Sequence, residues 1–175
     1  EIARSQRDGQ PLSLIVVDID GLEQINDRWG HDAGDETLKS VAQRLIDGTR
    51  EIDSVVRYGE DEFLLILPST ALDGARFLAE RLCQRVRARP IETDDAELPI
   101  SIHGGVAELA VDDPDASALI ARAEAGLYQA KLGGSPVHCA AQTNEPRLGL
   151  GHGLGLSTSL PQHQPDPAPV RPRSF

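Results

Sequence analysis

Along residues 1–141 the apolar positions follow two rhythms, one of strands and one of helices. Leu12–Ile19 is an unbroken apolar run rich in Val and Ile, the pattern of a buried strand. Over Asp32–Arg50 the apolar residues Leu38, Val41, Ala42, Leu45 and Ile46 recur three and four apart, which predicts a helix with one inward face. Ser54–Arg57 and Glu62–Leu67 predict two strands joined by a tight turn at Tyr58-Gly59-Glu60-Asp61, a hairpin. Ala71–Ala88 predicts a second amphipathic helix with Ala75, Leu78, Ala79, Leu82 and Val86 inward, ended by Pro90. Leu98–Leu109 predicts a further strand, bent at Gly104-Gly105. Ser117–Leu132 predicts a third helix closed by Gly133-Gly134, and Val137–Ala140 a short edge strand. This order implies an α/β fold of the α+β sandwich kind: a central mixed, largely antiparallel sheet with flanking helices.

From Gln142 to Phe175 the rhythm stops. That stretch carries six of the twelve prolines and a Gly/Leu run at Gly149–Leu156, so a folded body over residues 1–141 and a disordered Pro/Gly-rich tail over 142–175 are expected. The Gly149–Gly155 run lacks the strand–turn–helix setting of a dinucleotide loop.

Composition narrows the function. Among 175 residues there are 17 Lys and Arg against 28 Asp and Glu, a formal charge of −11. Such a surface repels a phosphate backbone, which argues against DNA or RNA as partner. A nucleotide ligand would need a metal ion or local arginines. Aromatics make up only 3%, so the core is aliphatic. Two cysteines, Cys83 and Cys139, make no disulfide framework and fit a reducing, cytoplasmic setting. No apolar run reaches the roughly 18–20 residues that span a bilayer. The absence of methionine marks the sequence as a piece of a longer, multi-domain or membrane-anchored protein.

The acids are grouped. Asp18 and Asp20 sit two apart at the end of the first strand and are expected to share a face. The hairpin turn adds Glu60, Asp61 and Glu62. If the hairpin lies beside the first strand, these carboxylates converge, and like charges that close call for a cation. Hard oxygen donors favour Mg²⁺, which favours a phosphate-bearing substrate. The competing reading is a set of solvated acids at strand ends.

Four ordered motifs decide between these readings: Asp18-Ile19-Asp20-Gly21-Leu22-Glu23-Gln24-Ile25-Asn26-Asp27, Gly30-His31-Asp32-Ala33-Gly34-Asp35, Arg57-Tyr58-Gly59-Glu60-Asp61-Glu62-Phe63, and Leu127-Tyr128-Gln129-Ala130-Lys131. Together they resemble the GGDEF family of diguanylate cyclases and their inactive relatives. The resemblance implies a fold similar to the palm domain of polymerases and to adenylyl cyclases. It also implies chemistry in which two domains each hold one GTP. Each 3′-hydroxyl attacks the α-phosphate of the other, giving cyclic di-GMP and two diphosphates. By motif, Asp18, Asp61 and the carbonyl of Ile19 correspond to Mg²⁺ ligands, and Glu62 to the further catalytic acid. Asn26 and Asp35 would hold the guanine edge, beside Gly59 and Glu60 of the turn, and Lys131 would meet phosphate.

The departures from the family pattern fall on the triphosphate. Glu60 replaces the second glycine of the signature, Glu23 a phosphate-binding lysine, and Ser135 an arginine. Leu22 and His103-Gly104-Gly105-Val106 also depart, from a Phe and from Ser-Ile-Gly-Val. One charge pair at about 4 Å is worth roughly 4 kcal/mol at an effective dielectric of ~20, and the three substitutions act with one sign. Guanine recognition is kept while triphosphate recognition is damaged. The catalytic set Asp18, Asp61 and Glu62 is then vestigial, and the ligand is one with guanines and fewer charges.

Arg50-Glu51-Ile52-Asp53 adds a second resemblance. An Arg-x-x-Asp five residues before Gly59 matches the family's inhibitory, product-binding site. There Arg50 would stack on guanine and bond its Hoogsteen edge, and Asp53 would accept from ring N–H groups. Arg81 matches a second arginine of that site. The plainer reading makes Arg50 a helix-end cation. His31-Asp32 is expected to be a helix cap at Asp32, Trp29 a core residue and Cys83 a small core residue.

Three functions remain open. The first is a degenerate GGDEF domain that binds cyclic di-GMP, with a dimer bridged through Asn26 and Asp35. The second is an active, product-inhibited cyclase using GTP and Mg²⁺. The third is an interaction or dimerisation module without nucleotide.

Overall fold

A computed structural model describes residues 1–93 and 96–140. The tail expected from Gln142 lies outside the described residues. The elements are α1 (Ile2–Asp8), β1 (Leu12–Ile19), α2 (Leu22–Trp29), α3 (His31–Ile46), β2 (Ser54–Arg57), β3 (Glu62–Pro68), α4 (Leu72–Arg87), β4 (Ile91–Glu92), β5 (Glu97–Leu98), β6 (Ile102–Glu108), α5 (Ala116–Gly133) and β7 (Val137–Cys139). The main sheet has the order β2-β3-β1-β6-β7, antiparallel throughout except for the β6–β7 pair. This is the mixed α/β sandwich that the hydrophobic rhythm predicted.

β1 is buried along its whole length because it is central and covered on both faces. Ile15, Val17 and Ile19 pack with Val41, Leu45, Ala79 and Leu82, the inward residues of α3 and α4. Leu14 and Val16 pack on the other side with Leu119, Ala123 and Leu127 of α5. The sheet is therefore the middle of three layers. Cys83 joins the first core, where burial above all pushes its thiol up to about 12. It is packing, not chemistry, as its sequence position implied.

Several expectations need correction. The helix expected over Asp32–Arg50 ends at Ile46, and Ile46 is exposed. The chain turns there as Gly48 N–H donates to the Leu45 carbonyl and Thr49 N–H to the Ile46 carbonyl, which leaves Arg50 in the following turn. Asp32 is not the cap of α3. Gly30 holds that position at φ 84°, and Asp32 sits exposed in the first turn. The strand expected over Leu98–Leu109 is split by Pro99, which cannot donate to a ladder. Leu98 pairs with Ile91 in a separate two-stranded hairpin, and β6 begins at Ile102. α1 and α2 were not anticipated. α1 buries no residue and so carries no apolar stripe. α2 is two turns long, but its Leu22, Ile25 and Trp29 do recur at helical spacing and pack on the core. Trp29 is half-buried there, with the Arg28 guanidinium 5.0 Å from its ring centre.

Gly104-Gly105 was read as a bend. Gly105 instead admits a helix. A Cβ on Gly105 would lie 2.0 Å from the Ala123 carbonyl oxygen and 2.1 Å from the Leu127 nitrogen. A Cβ on Gly126 would lie 2.9 Å from the His138 carbonyl oxygen. The backbone of α5 thus rests directly on β6, and neither chain can retreat from the other without opening the second core. Gly105→Ala should destabilise the fold by about 3 kcal/mol, measured by urea unfolding. A loss below about 0.5 kcal/mol would mean that α5 does not sit at this distance.

Candidate functional site

Two regions carry the residues singled out from the sequence. The first lies at the end of β1. Asp18 is the last but one residue of that strand and only 6% exposed. Ile19 N–H donates to the Asp61 carbonyl at 3.0 Å, which ties the β2–β3 turn to the strand end. The turn itself is closed by Tyr58 N–H and Gly59 N–H on the Glu62 carbonyl, at 2.8 and 3.2 Å. Arg57 clamps it from the side, donating through Nε to the Gly59 carbonyl and through its terminal nitrogen to the Glu60 carbonyl. Gly59 sits where a Cβ would lie 2.9 Å from Glu62 Oε2.

α5 supplies the counter-charges. Lys131 Nζ lies 2.6 Å from Asp18 Oδ2, and Tyr58 Oη donates to Glu124 Oε1 at 3.1 Å. Burial raises the Asp18 pKa above the usual carboxylate range. Lys131 opposes that shift, and Asp61 and Asp20 add to it. Glu62 is raised as well, first by burial and then by Asp18, Asp61 and Glu124, with Lys131 opposing. Asp18, Asp61 and Glu62 therefore lie within reach of one another's charge, with Lys131 opposing.

Asp20 lies just past the end of β1 and near enough to Asp18 to act on its charge. Its carboxylate bonds to Ser101 Oγ at 2.5 Å and to His103 Nδ1 at 2.6 Å, and His103 is the residue opposite Asp18 in the β1–β6 ladder. His103 was visible in the sequence only as a departure in the late strand. It now anchors the turn between β1 and α2.

Beyond that turn lie the two residues expected to hold a guanine edge. Asn26 lies on α2 and Asp35 on the first turns of α3, with Asp35 exposed. A Cβ on Gly34 would lie 1.9 Å from Asn26 Oδ1, so the amide occupies the space that this glycine leaves. Gly34 was quoted in a motif without a role. Its role is to make room for Asn26. Glu23 and Glu60 are exposed, and Ser135 Oγ is turned onto the Val137 carbonyl at 3.0 Å.

Among the described residues no group of three or more His, Cys, Asp or Glu side chains is arranged to hold a metal ion. The residues expected to hold a hard cation were two carboxylates, Asp18 and Asp61, with the Ile19 carbonyl, and Asp18 is paired here with Lys131. That set suits an ion that keeps several oxygen ligands from water or phosphate.

The second region is a cleft of about 470 Å³ between the α3–β2 turn and α4. It is lined by Arg50, Asp53 and Arg81, together with Thr49, Phe77 and Leu78 among others. Arg50 and Asp53 meet through the turn itself, where Arg50 N–H donates to Asp53 Oδ2 at 2.8 Å. Asp53 Oδ1 is enclosed without a hydrogen-bond partner. Arg81 crosses from α4 to donate to the Gly48 carbonyl at 2.9 Å. So the three residues picked from one sequence motif and one distant position share a single wall. Phe77, which the sequence reading passed over, is 61% exposed at the same cleft. Its solvent-facing place in an otherwise inward-periodic helix was the available signal.

The comparisons with known proteins agree with one another. The sequence profile of the diguanylate cyclase GGDEF domain matches residues 1–136. The response regulator PleD of Caulobacter vibrioides is 40% identical over 135 residues, 76% of this chain and 30% of PleD. The diguanylate cyclase DosC of Escherichia coli is 38% identical over 77% of this chain and 29% of its own length. The chain thus spans under a third of these curated relatives. Among solved structures, the active GGEEF domain of a diguanylate cyclase from Vibrio cholerae superposes with a TM-score of 0.74 at 34% identity, covering 81% of this chain and 90% of that one. The GGDEF domain of DgcB from Caulobacter crescentus, solved in complex with c-di-GMP, gives 0.74 at 29% identity, covering 79% and 83%. Among the described residues no helix is long and apolar enough to cross a membrane.

The raised Glu62 pKa makes a stability prediction. The folded chain binds the Glu62 proton more readily than the unfolded chain does. The penalty of the buried charge is therefore full above the raised value and absent below the ordinary value of 4.5. Glu62→Gln should raise the unfolding midpoint by a few degrees near pH 8, with the gain fading as the pH falls towards about 4. Thermal unfolding across that range checks it. A midpoint lowered near pH 8 would mean that the charge is stabilised where it stands.

Proposed function

This chain belongs to the GGDEF family of diguanylate cyclase domains, and within that family we propose that it acts as a receptor for cyclic di-GMP with little or no cyclase turnover. The observation that carries this reading is the meeting of Arg50, Asp53 and Arg81 on one cleft. A guanidinium at Arg50 offers a flat stacking face and two parallel donors for a guanine Hoogsteen edge. Asp53 already bonds through Oδ2, and its unpartnered Oδ1 costs about 1–3 kcal/mol, which ring N–H donors would offset. The structure of DgcB with c-di-GMP is consistent with such a ligand on this fold.

The acidic end supports low turnover. Asp61 helps to raise the pKa of Asp18, Asp18 and Asp61 help to raise that of Glu62, and Lys131 is spent on Asp18. A GTP triphosphate would enter beside exposed Glu23 and Glu60, with Ser135 offering no positive charge. If GTP binds, Mg²⁺ would be held by Asp18, Asp61 and the Ile19 carbonyl, and would screen the phosphates. Lys131 would then have to exchange Asp18 for phosphate. A ligand bridging two copies through Asn26 and Asp35 would give a two-fold dimer.

An active, product-inhibited cyclase is the second reading. The gathered Asp18, Asp61 and Glu62 favour it, as does the likeness to an active GGEEF domain. The purified chain incubated with GTP and Mg²⁺ should give no or very slow cyclic di-GMP by chromatography. Clear product at high protein concentration would contradict the receptor reading. The double change Glu23→Lys with Glu60→Gly should tighten GTP binding, and unchanged affinity would refute the electrostatic cause.

For the cleft, Arg50→Ala should weaken cyclic di-GMP at least about tenfold by calorimetry, a change of about 1.4 kcal/mol. Arg50→Lys should be nearly as harmful, and Arg81→Ala milder. Circular dichroism controls for folding, since Arg50 and Arg81 are exposed. Unchanged affinity in folded Arg50→Ala would move the ligand out of this cleft.

A further inference from the structure

We infer that the cleft reads one base of a cyclic dinucleotide by hydrogen bonds and takes the other by stacking on Phe77. A hybrid ligand with one guanine and one adenine is then accepted nearly as well as cyclic di-GMP. This inference rests on the proposed receptor function and goes beyond it, because it assigns a second base subsite and a ligand class.

The polar groups of the cleft are unevenly distributed. The Arg50 guanidinium bonds to nothing among the described residues, and Asp53 Oδ1 has no partner. With Arg81, whose guanidinium keeps further N–H donors beyond the one given to the Gly48 carbonyl, these form one set of edge readers. The remaining polar side chains on the cleft have their hydroxyl protons turned onto backbone carbonyls. Thr49 Oγ1 donates to the Leu45 and Ile46 carbonyls, and Thr70 Oγ1 donates to the Pro68 carbonyl. Beyond them the wall is Gly74, Phe77 and Leu78, whose side chains have nothing with which to read a base edge.

Phe77 is placed to receive a flat ring. It projects from the first half of α4, one turn before Arg81 on the same helical face. The Arg76 guanidinium stands over its ring at 4.6 Å from the centroid and is itself held by Glu80 at 2.9 Å. Arg76 covers one face of the ring only, and Phe77 lines the cleft whereas Arg76 does not. A large aromatic left 61% exposed beside a cleft has an unmet burial, which a purine would satisfy. Stacking does not depend on base identity, because every base has a π-face. The Arg50–Asp53 end discriminates guanine from adenine, since adenine presents an amino donor where guanine presents O6. One end of the cleft is therefore selective and the other tolerant.

Calorimetry of the full 175-residue chain with cyclic di-GMP, cyclic GMP–AMP and cyclic di-AMP tests this. The hybrid should bind within about fivefold of cyclic di-GMP, and cyclic di-AMP at least about thirtyfold more weakly, as expected when an edge-read base is replaced. Phe77→Ala should weaken cyclic di-GMP and the hybrid alike by about tenfold, and Phe77→Trp should restore both. If Arg50→Ala weakens cyclic di-GMP while Phe77→Ala leaves it within about twofold, the stacking subsite is wrong and the receptor reading stands. If the hybrid binds as weakly as cyclic di-AMP, both bases are edge-read and the inference is overturned. If the wild-type chain binds no cyclic di-GMP at all, the receptor reading itself falls. Because Phe77 is a surface residue, its variants are expected to keep the wild-type circular dichroism spectrum.

Discussion

The close seat of α5 on β6 is the constraint on which the acidic end of the molecule depends. At Gly105 the sheet meets helix backbone rather than side chains. This approach fixes the height of α5 over the sheet, and α5 carries both Lys131 and Glu124. Lys131 meets the buried Asp18 at 2.6 Å, and Glu124 takes the Tyr58 hydroxyl from the hairpin. A helix displaced outward by a single methyl group would withdraw the only ammonium that opposes the raised pKa values of Asp18 and Glu62. Packing on one face of the sheet thus sets the electrostatics at its end.

The protein concentrates opposite charges in separate places. Its net charge of −11 gathers in part where β1, the β2–β3 turn and α2 meet. Arg50 and Arg81 stand around the cleft on the α4 side. A triphosphate approaching the first region meets carboxylates, whereas a phosphodiester approaching the second meets guanidinium groups with a carboxylate placed for ring donors. The two regions therefore differ in the charge of the ligand that each would favour. Gly34 leaves the space that the Asn26 amide fills, and Glu23 and Glu60 stand exposed.

Much of this was readable from residue order, and the rest failed for physical reasons. The inward faces of α3, α4 and α5 follow the 3.6-residue rhythm, and β2 runs from Ser54 to Arg57 as expected. α2 escaped notice because two turns give too few repeats to stand out beside a glycine-bounded motif. The helix expected to reach Arg50 stops four residues earlier, since propensity does not register the turn at Gly48. Arg-x-x-Asp was recognised through its resemblance to a family motif, and the backbone turn then explains why Arg50 and Asp53 meet. The shared cleft with Arg81, 31 positions further on, needs tertiary structure to be seen. The same holds for His103 on Asp20, and for the glycines whose purpose is another residue's space. Periodicity reports which face is buried; it does not report which backbone lies against it.

The most direct test of the central claim is a structure of this chain determined with cyclic di-GMP. The account predicts ligand density in the cleft of Arg50, Asp53 and Arg81, with one base on the Arg50 guanidinium and the other on Phe77. Ligand found only against Asn26 and Asp35, with the cleft empty, would contradict it.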